Sequence, residues 1–224
     1  MSKHLQRELD RLKRRILSLS GLAEESVHKA VHALERRDER LAANVIESDI
    51  ELDHAEVDLE EECLKILALH QPVAIDLRFI VACLKINNDL ERIGDLAVNV
   101  AERAQYIATH ERVDAPFDFV GMAEKAQAMV RESLDALVNL DAEAARRVCA
   151  ADDEVDALNR EMYAKVQDGI RAHPEQMPGL IHLLSASRHL ERIADHATNI
   201  AEDVIYMVKG EIVRHQAERY KRSP

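Results

Sequence analysis

The sequence predicts an all-α protein built from two tandem three-helix bundles, six long helices in all, and three observations lead there. Leu, Ala, Val and Ile dominate the apolar residues while aromatics are only 3%, with no Trp. Six Gly and five Pro are few for 224 residues and cluster in a few places, so the chain between them reads as long uninterrupted helix. A stretch near residue 90 also recurs near residue 190.

The elements follow from this punctuation in chain order. The first helix is expected over 3–36, where Leu5, Leu9, Leu12, Ile16, Leu19, Ala23, Val27, Ala30 and Leu34 recur at three- and four-residue steps, one buried stripe on a helix. The second runs over 39–69 and stops at the Leu69-His70-Gln71 turn. Pro72 opens the third, 74–110, and the polar stretch from His110 to Pro116 is the junction before the fourth, 117–139. The fifth, 142–172, ends where Pro174 and Pro178 bracket a turn, and the sixth is expected over 178–216.

Comparison of the chain with itself defines the halves. Leu90-Glu91-Arg92-Ile93-Gly94-Asp95-Leu96-Ala97-Val98-Asn99-Val100-Ala101-Glu102 returns as Leu190-Glu191-Arg192-Ile193-Ala194-Asp195-His196-Ala197-Thr198-Asn199-Ile200-Ala201-Glu202. Upstream, Ala33-Leu34 matches Ala136-Leu137, Asp38 matches Asp141, Asp49 and Asp53 match Asp152 and Asp156, and His70 matches His173. The chain is a duplication with domains at 1–113 and 114–224, each giving three helices.

Net charge of -12 and a pI near 5.4 argue against a nucleic-acid binder, whose field must attract phosphates. The basic stretches Lys13-Arg14-Arg15 and Arg219 to Arg222 are short and read as solvated surface. Cys63, Cys83 and Cys149 are odd in number and lack CxxC spacing, so neither a disulfide framework nor a thiolate zinc site is indicated, and Cys83 and Cys149 read as core fillers. The amino terminus is charged and helical, no stretch approaches a membrane span, and a cytoplasmic protein without membrane insertion is expected.

Chemistry-bearing residues concentrate in the repeat. Asp49 with Asp53 and Glu91 with Asp95 in the first half, and Asp152 with Asp156 and Glu191 with Asp195 in the second, are acid pairs four apart, each on one helix face. Like charges at that spacing repel by about 0.2–0.5 kcal/mol in an isolated helix, so a cation nearby offsets a real cost. Arg92 and Arg192, three residues before Asp95 and Asp195, are one source of that cation. A bound metal is the other: Mg, Mn, Fe and Zn accept carboxylate oxygen, and Asn99 and Asn199 extend the same faces with a carbonyl. Solvated surface acids, or acids bridging helices by salt bridges, are the bland alternatives. Recurrence of both pairs in register weighs against them, because solvated faces diverge first after duplication.

A catalytic alternative rests on Glu25 with His28 and Glu51 with His54, the ExxH spacing of carboxylate-bridged metalloenzymes on ferritin-like bundles. The equivalent positions of the second half, Ala128 with Arg131 and Glu154 with Ala157, do not keep it. There is no Gly-rich phosphate loop, HExxH or nucleophile elbow, so no enzyme is expected. His196 reads as structural or as a residue beside a ligand, and Gly94, Ala97 and Ala101, with Ala194, Ala197 and Ala201, as small residues that let helices approach.

Gln71-Pro72-Val73-Ala74-Ile75-Asp76-Leu77-Arg78 running into Leu90-Glu91-Arg92-Ile93-Gly94-Asp95, together with the recurrence at 190–202, resembles the PhoU family over nearly the whole chain. The resemblance implies a negative regulator of phosphate uptake and phosphate-starvation signalling: a cytoplasmic homodimer linking the phosphate ABC transporter to a sensor histidine kinase at the inner face of the membrane. It also implies multinuclear metal clusters, iron or zinc with Mn or Mg as further options, held at Asp49, Asp53, Glu91, Asp95, Asp152, Asp156, Glu191 and Asp195. One departure breaks the symmetry: the first half carries the Asp76-Leu77-Arg78 turn where the second has Gln176-Met177-Pro178-Gly179.

Overall fold

The computed structural model describes residues 3–113, 118–211 and 213. Six α-helices run in order: α1 (Lys3–Arg36), α2 (Glu39–His70), α3 (Ala74–Thr109), α4 (Phe119–Asn139), α5 (Ala142–Ala172) and α6 (Met177–Lys209). A 3-10 turn at Pro174–Gln176, bracketed by the two prolines, leads into α6. Helices α1, α2 and α3 pack on one another, as do α4, α5 and α6. The two units join through α3 against α6, with a smaller meeting of α1 and α4, which leaves α2 and α5 outermost.

Every member of the α1 stripe, from Leu5 to Leu34, is buried. The repeat outside the acidic stretch is a repeat of turn chemistry. Arg37 and Leu140 adopt left-handed backbone at φ 55 and φ 52. Their N–H groups reach Leu34 and Leu137 carbonyls, while Asp38 and Asp141 N–H groups reach back to Ala33 and Ala136 at 2.9 and 3.0 Å. That is the Schellman arrangement, which closes the orphan carbonyls of a helix end. The same two aspartates then cap the next helix: Asp38 accepts from Leu41 N–H, and Asp141 from those of Glu143 and Ala144. Ala33-Leu34, Asp38 and their counterparts are thus duplicated because one two-residue joint is built twice.

The sixth helix ends at Lys209, short of the expected 216. Gly210 turns left-handed at φ 75 and its N–H bonds the Tyr206 carbonyl at 2.8 Å, the glycine stop signal that the apolar periodicity beyond it had outweighed. Glu211 and Val213 are non-helical, and 212 and 214–216 lie outside the described residues, as do the Arg219 to Arg222 stretch and positions 114–117 of the junction. Cys63 and Cys83 are fully buried free thiols, and Cys149 is half-buried against the core.

The seam between the halves is polar at one end. Lys85 on α3 pairs with buried Asp203 on α6 at 3.0 Å and lies 5.3 Å from the Tyr206 ring centre. One turn on, buried Asp89 accepts from His196 Nδ1 at 2.8 Å and from the Asn199 amide at 3.2 Å. His196 thereby ties α6 to α3.

Candidate functional site

Each acid pair sits on one helix of an antiparallel pair, facing the groove to its neighbour: Asp49 and Asp53 on α2 beside Glu91 and Asp95 on α3, Asp152 and Asp156 on α5 beside Glu191 and Asp195 on α6. Close approach comes from small residues. Asp49 Oδ1 lies 3.3 Å from the point a Cβ on Gly94 would occupy, and Leu52 Cδ1 lies 2.8 Å from it. At the equivalent place the second half has Ala194 and Val155, one methylene moved from α5 to α6 with the interior filled on both sides.

Electrostatics mark both grooves. Burial, then Asp53 and Asp95, push the Asp49 carboxyl up to about 6. Asp152 is likewise raised to about 6 by burial and by Asp195, Asp156 and Asp153, against the easing effect of the Thr198 hydroxyl. Asp195 reaches about 6 through partial removal from water, Glu191 and Asp156, opposed by His196 and Arg192. Glu91 is raised by burial, Asp95, Glu56 and Asp53 with Arg92 opposing, and Glu191 by burial, Asp156 and Asp152 with Arg188 and Arg192 opposing. These carboxylates hold their protons above the ordinary range first because burial withholds water and second because other carboxylates crowd them, and a cation in the groove would relieve both.

Arg92 supplies part of that charge in the first half, bridging Glu91 at 3.3 Å and Asp95 at 2.9 Å. Among the described residues Arg192 makes no corresponding ion pair, and the second groove is instead eased at longer range by Arg188, Arg192 and His196. Asn99 donates its amide to the Asp95 carbonyl on its own helix, and Asn199 is engaged with Asp89 across the seam. Among the described residues no three Asp, Glu, His or Cys side chains converge as a ligand shell in their present rotamers. By chemistry the donor set fits a hard or borderline cation, and side-chain rotation would have to gather it.

Glu25, His28, Glu51 and His54 are all exposed, and Glu25 is held below the ordinary carboxylate range by its 2.8 Å ion pair with Lys29. His28 instead meets His32, Nε2 to Nε2 at 3.1 Å.

One polar link escaped the self-comparison. Buried Asn87 donates to Glu56 Oε1 at 2.8 Å, and its counterpart Ser187 donates to Asn159 Oδ1 at 3.2 Å. Both tie the outer helix of a half to its central helix next to the acid pairs. The residue types changed in both members, so only the register of the repeat could have revealed them.

The PhoU domain model matches the sequence twice, over residues 16–104 and 119–204. The chain belongs to the PhoU family. A Pseudomonas aeruginosa relative, named phosphate-specific transport system accessory protein PhoU homolog, is 39% identical over 96% of this chain and 89% of its own length. An Aquifex aeolicus protein of the same name is 38% identical over 94% and 95%. Two PhoU crystal structures superpose: that from Pseudomonas aeruginosa with a TM-score of 0.88 at 38% identity, covering 92% of this chain and 99% of its own, and that of the phosphate transport system regulatory protein PhoU from Streptococcus pneumoniae with 0.82 at 28%, covering 93% and 99%. In this PhoU chain both matched segments contain a complete pair of acid faces.

Proposed function

We propose that this chain is a non-enzymatic accessory regulator of phosphate-specific transport: a cytoplasmic homodimer that links the phosphate transporter to a sensor histidine kinase and represses phosphate-starvation genes while phosphate is plentiful. The names of its relatives support the transport role. No helix among the described residues is long and apolar enough to cross a membrane, so contact with the membrane would run through partners.

The observation that carries a metal-dependent version of this role is the pair of crowded carboxylate grooves, each with protons held up to about 6. Asp49, Asp53, Glu91 and Asp95 would hold one metal cluster and Asp152, Asp156, Glu191 and Asp195 the other, with iron or zinc preferred and Mn or Mg as further options. A bound cation would supply the positive charge the grooves lack and lock α2 to α3 and α5 to α6.

Elemental analysis of protein purified without chelator tests the metal reading. Wild type is expected to hold more than one metal ion per chain, and the Asp53→Ala, Glu91→Ala, Asp156→Ala, Glu191→Ala variant none. A wild type that is metal-free yet folded removes the clusters from the proposal. Deletion from the native host that leaves phosphate-regulated expression unchanged removes the regulatory role.

A further inference from the structure

The duplication builds two clefts at opposite ends of the α3–α6 seam, at equivalent positions, and they have diverged in chemistry. In the register that pairs Asp38 with Asp141 and Glu91 with Glu191, Leu34, Arg37, Ile107 and Gly179 of one cleft correspond to Leu137, Leu140, Met207 and Phe79 of the other. The Leu140 cleft, about 430 Å³, is lined mainly by apolar side chains, with two cations, Lys13 and Arg78, matched in number by two acids, Asp10 and Asp76. The Arg37 cleft, about 540 Å³, is bordered by Arg36, Arg37 and Arg112 with His110 and Tyr106.

None of those three arginines forms an ion pair among the described residues, although Glu35 and Glu111 border the same cleft. Glu35 is turned to His32 at 3.6 Å, and Arg37 donates to the His110 carbonyl, which fixes its guanidinium at the cleft. Tyr106 and His110 of its lining belong to a stack of three rings, His110 on Tyr106 at 3.7 Å and Tyr106 on His182 behind it at 3.6 Å, with His182 Nδ1 buried and without a hydrogen-bond partner. The contrast along the seam is informative: at the Lys85 end, Asp203 and Asp89 find their counter-charges and donors within the chain. At the Arg37 end three arginines without an ion pair among the described residues outnumber the one acid in the same state, Glu111, on a molecule whose net charge is -12. Guanidinium forks recognise tetrahedral oxyanions through paired charge-assisted hydrogen bonds, and a local cationic cleft draws anions even on an acidic protein.

We propose that the Arg36, Arg37 and Arg112 cleft is a binding site for a phosphate group, free or as the terminal group of a small ester. It is separate from the acid grooves, and its three arginines all come from the first repeat, while Phe119, Val120, Gly179 and Leu183 of the second repeat share its lining.

Calorimetric titration of the full chain with inorganic phosphate, and in parallel with AMP, tests this. Three proteins are compared: wild type, Arg37→Gln with Arg112→Gln, and the four-fold acid-to-alanine variant. Saturable binding of either probe by wild type is expected, weakened about 10- to 100-fold in the arginine variant, the size of a lost charge-assisted hydrogen bond, and retained in the acid variant. Arg112→Gln alone, which removes no hydrogen bond seen among the described residues, guards against misfolding from the loss of the Arg37 contact and is expected to weaken binding in the same direction. The probe that saturates identifies the source, free phosphate or ester. Absence of saturable binding by both probes, or binding that survives the arginine changes and disappears with the acids, overturns the proposal while leaving the metal reading to its own test.

Discussion

A Cβ placed on Gly94 would stand 2.8 Å from Leu52 Cδ1, in a groove where Leu52 is 2% exposed and has little room to retreat. The second half solves the same contact with Ala194 and Val155. Leu52→Val alone is expected to lower stability by about 1 kcal/mol through the lost methylene. For Gly94→Ala, overpacking opposes a helix-propensity gain of about 1 kcal/mol. Made together, the two changes copy the second half and should be more stable than the sum of the singles by about 1 kcal/mol in a double-mutant cycle read by denaturant unfolding. Strict additivity would show that the two side chains do not compete for one space. The smallness of Gly94 and Ala194 could be read from sequence, as could the acids around them. The exchange of a methylene between positions 52 and 94 could not, because a hydrophobic period says that a residue points inward and is silent on what it meets. The Asp89 link to His196 and Asn199 was equally hidden: its members lie about a hundred residues apart and follow no period.

At the scale of elements, the helix ends were best legible where proline or a repeated aspartate stood. Val73, Asp118 and Asp141 mark starts within two residues of those expected, and the α1 stripe was legible in full. The end of α6 was lost because Gly210 sits inside a run whose apolar spacing continues, and only the left-handed backbone shows that the helix has already stopped. Gly210→Ala is expected to destabilise by about 1–2 kcal/mol, since an L side chain strains that conformation and its Cβ would collide with the Arg78 guanidinium. A drop in Tm on thermal unfolding by circular dichroism checks it, and an unchanged Tm would place the end of α6 outside the cooperative unit.

For the molecule as a whole, the carboxylates of the two grooves set the response to pH. The folded state holds protons on Asp49, Asp152 and Asp195 up to about 6 from an ordinary value of 3.8. Between about pH 4 and 6 the folded form therefore binds more protons than the unfolded chain, and stability falls as pH rises through that window. Chelator-treated protein should thus melt at higher temperature at about pH 5 than at about pH 7.5. Metal-loaded protein should lose or invert that dependence, because a cation takes the place of the protons. Equal slopes with and without chelator would separate the grooves from metal. The two-bundle plan was legible from the duplication. The central place of α3 and α6 was not, since a repeat states that the halves are alike and leaves open which faces they share.

The joint at Arg37 carries an implication for engineering. At φ 55 a glycine would relax the backbone by about 1 kcal/mol, and a screen for heat resistance would favour that replacement. The same change would strip a guanidinium from the mouth of the cleft. Selection for robustness and retention of that charge pull this position in opposite directions, so a hardened variant chosen by melting temperature alone would be the one most at risk of having gone deaf.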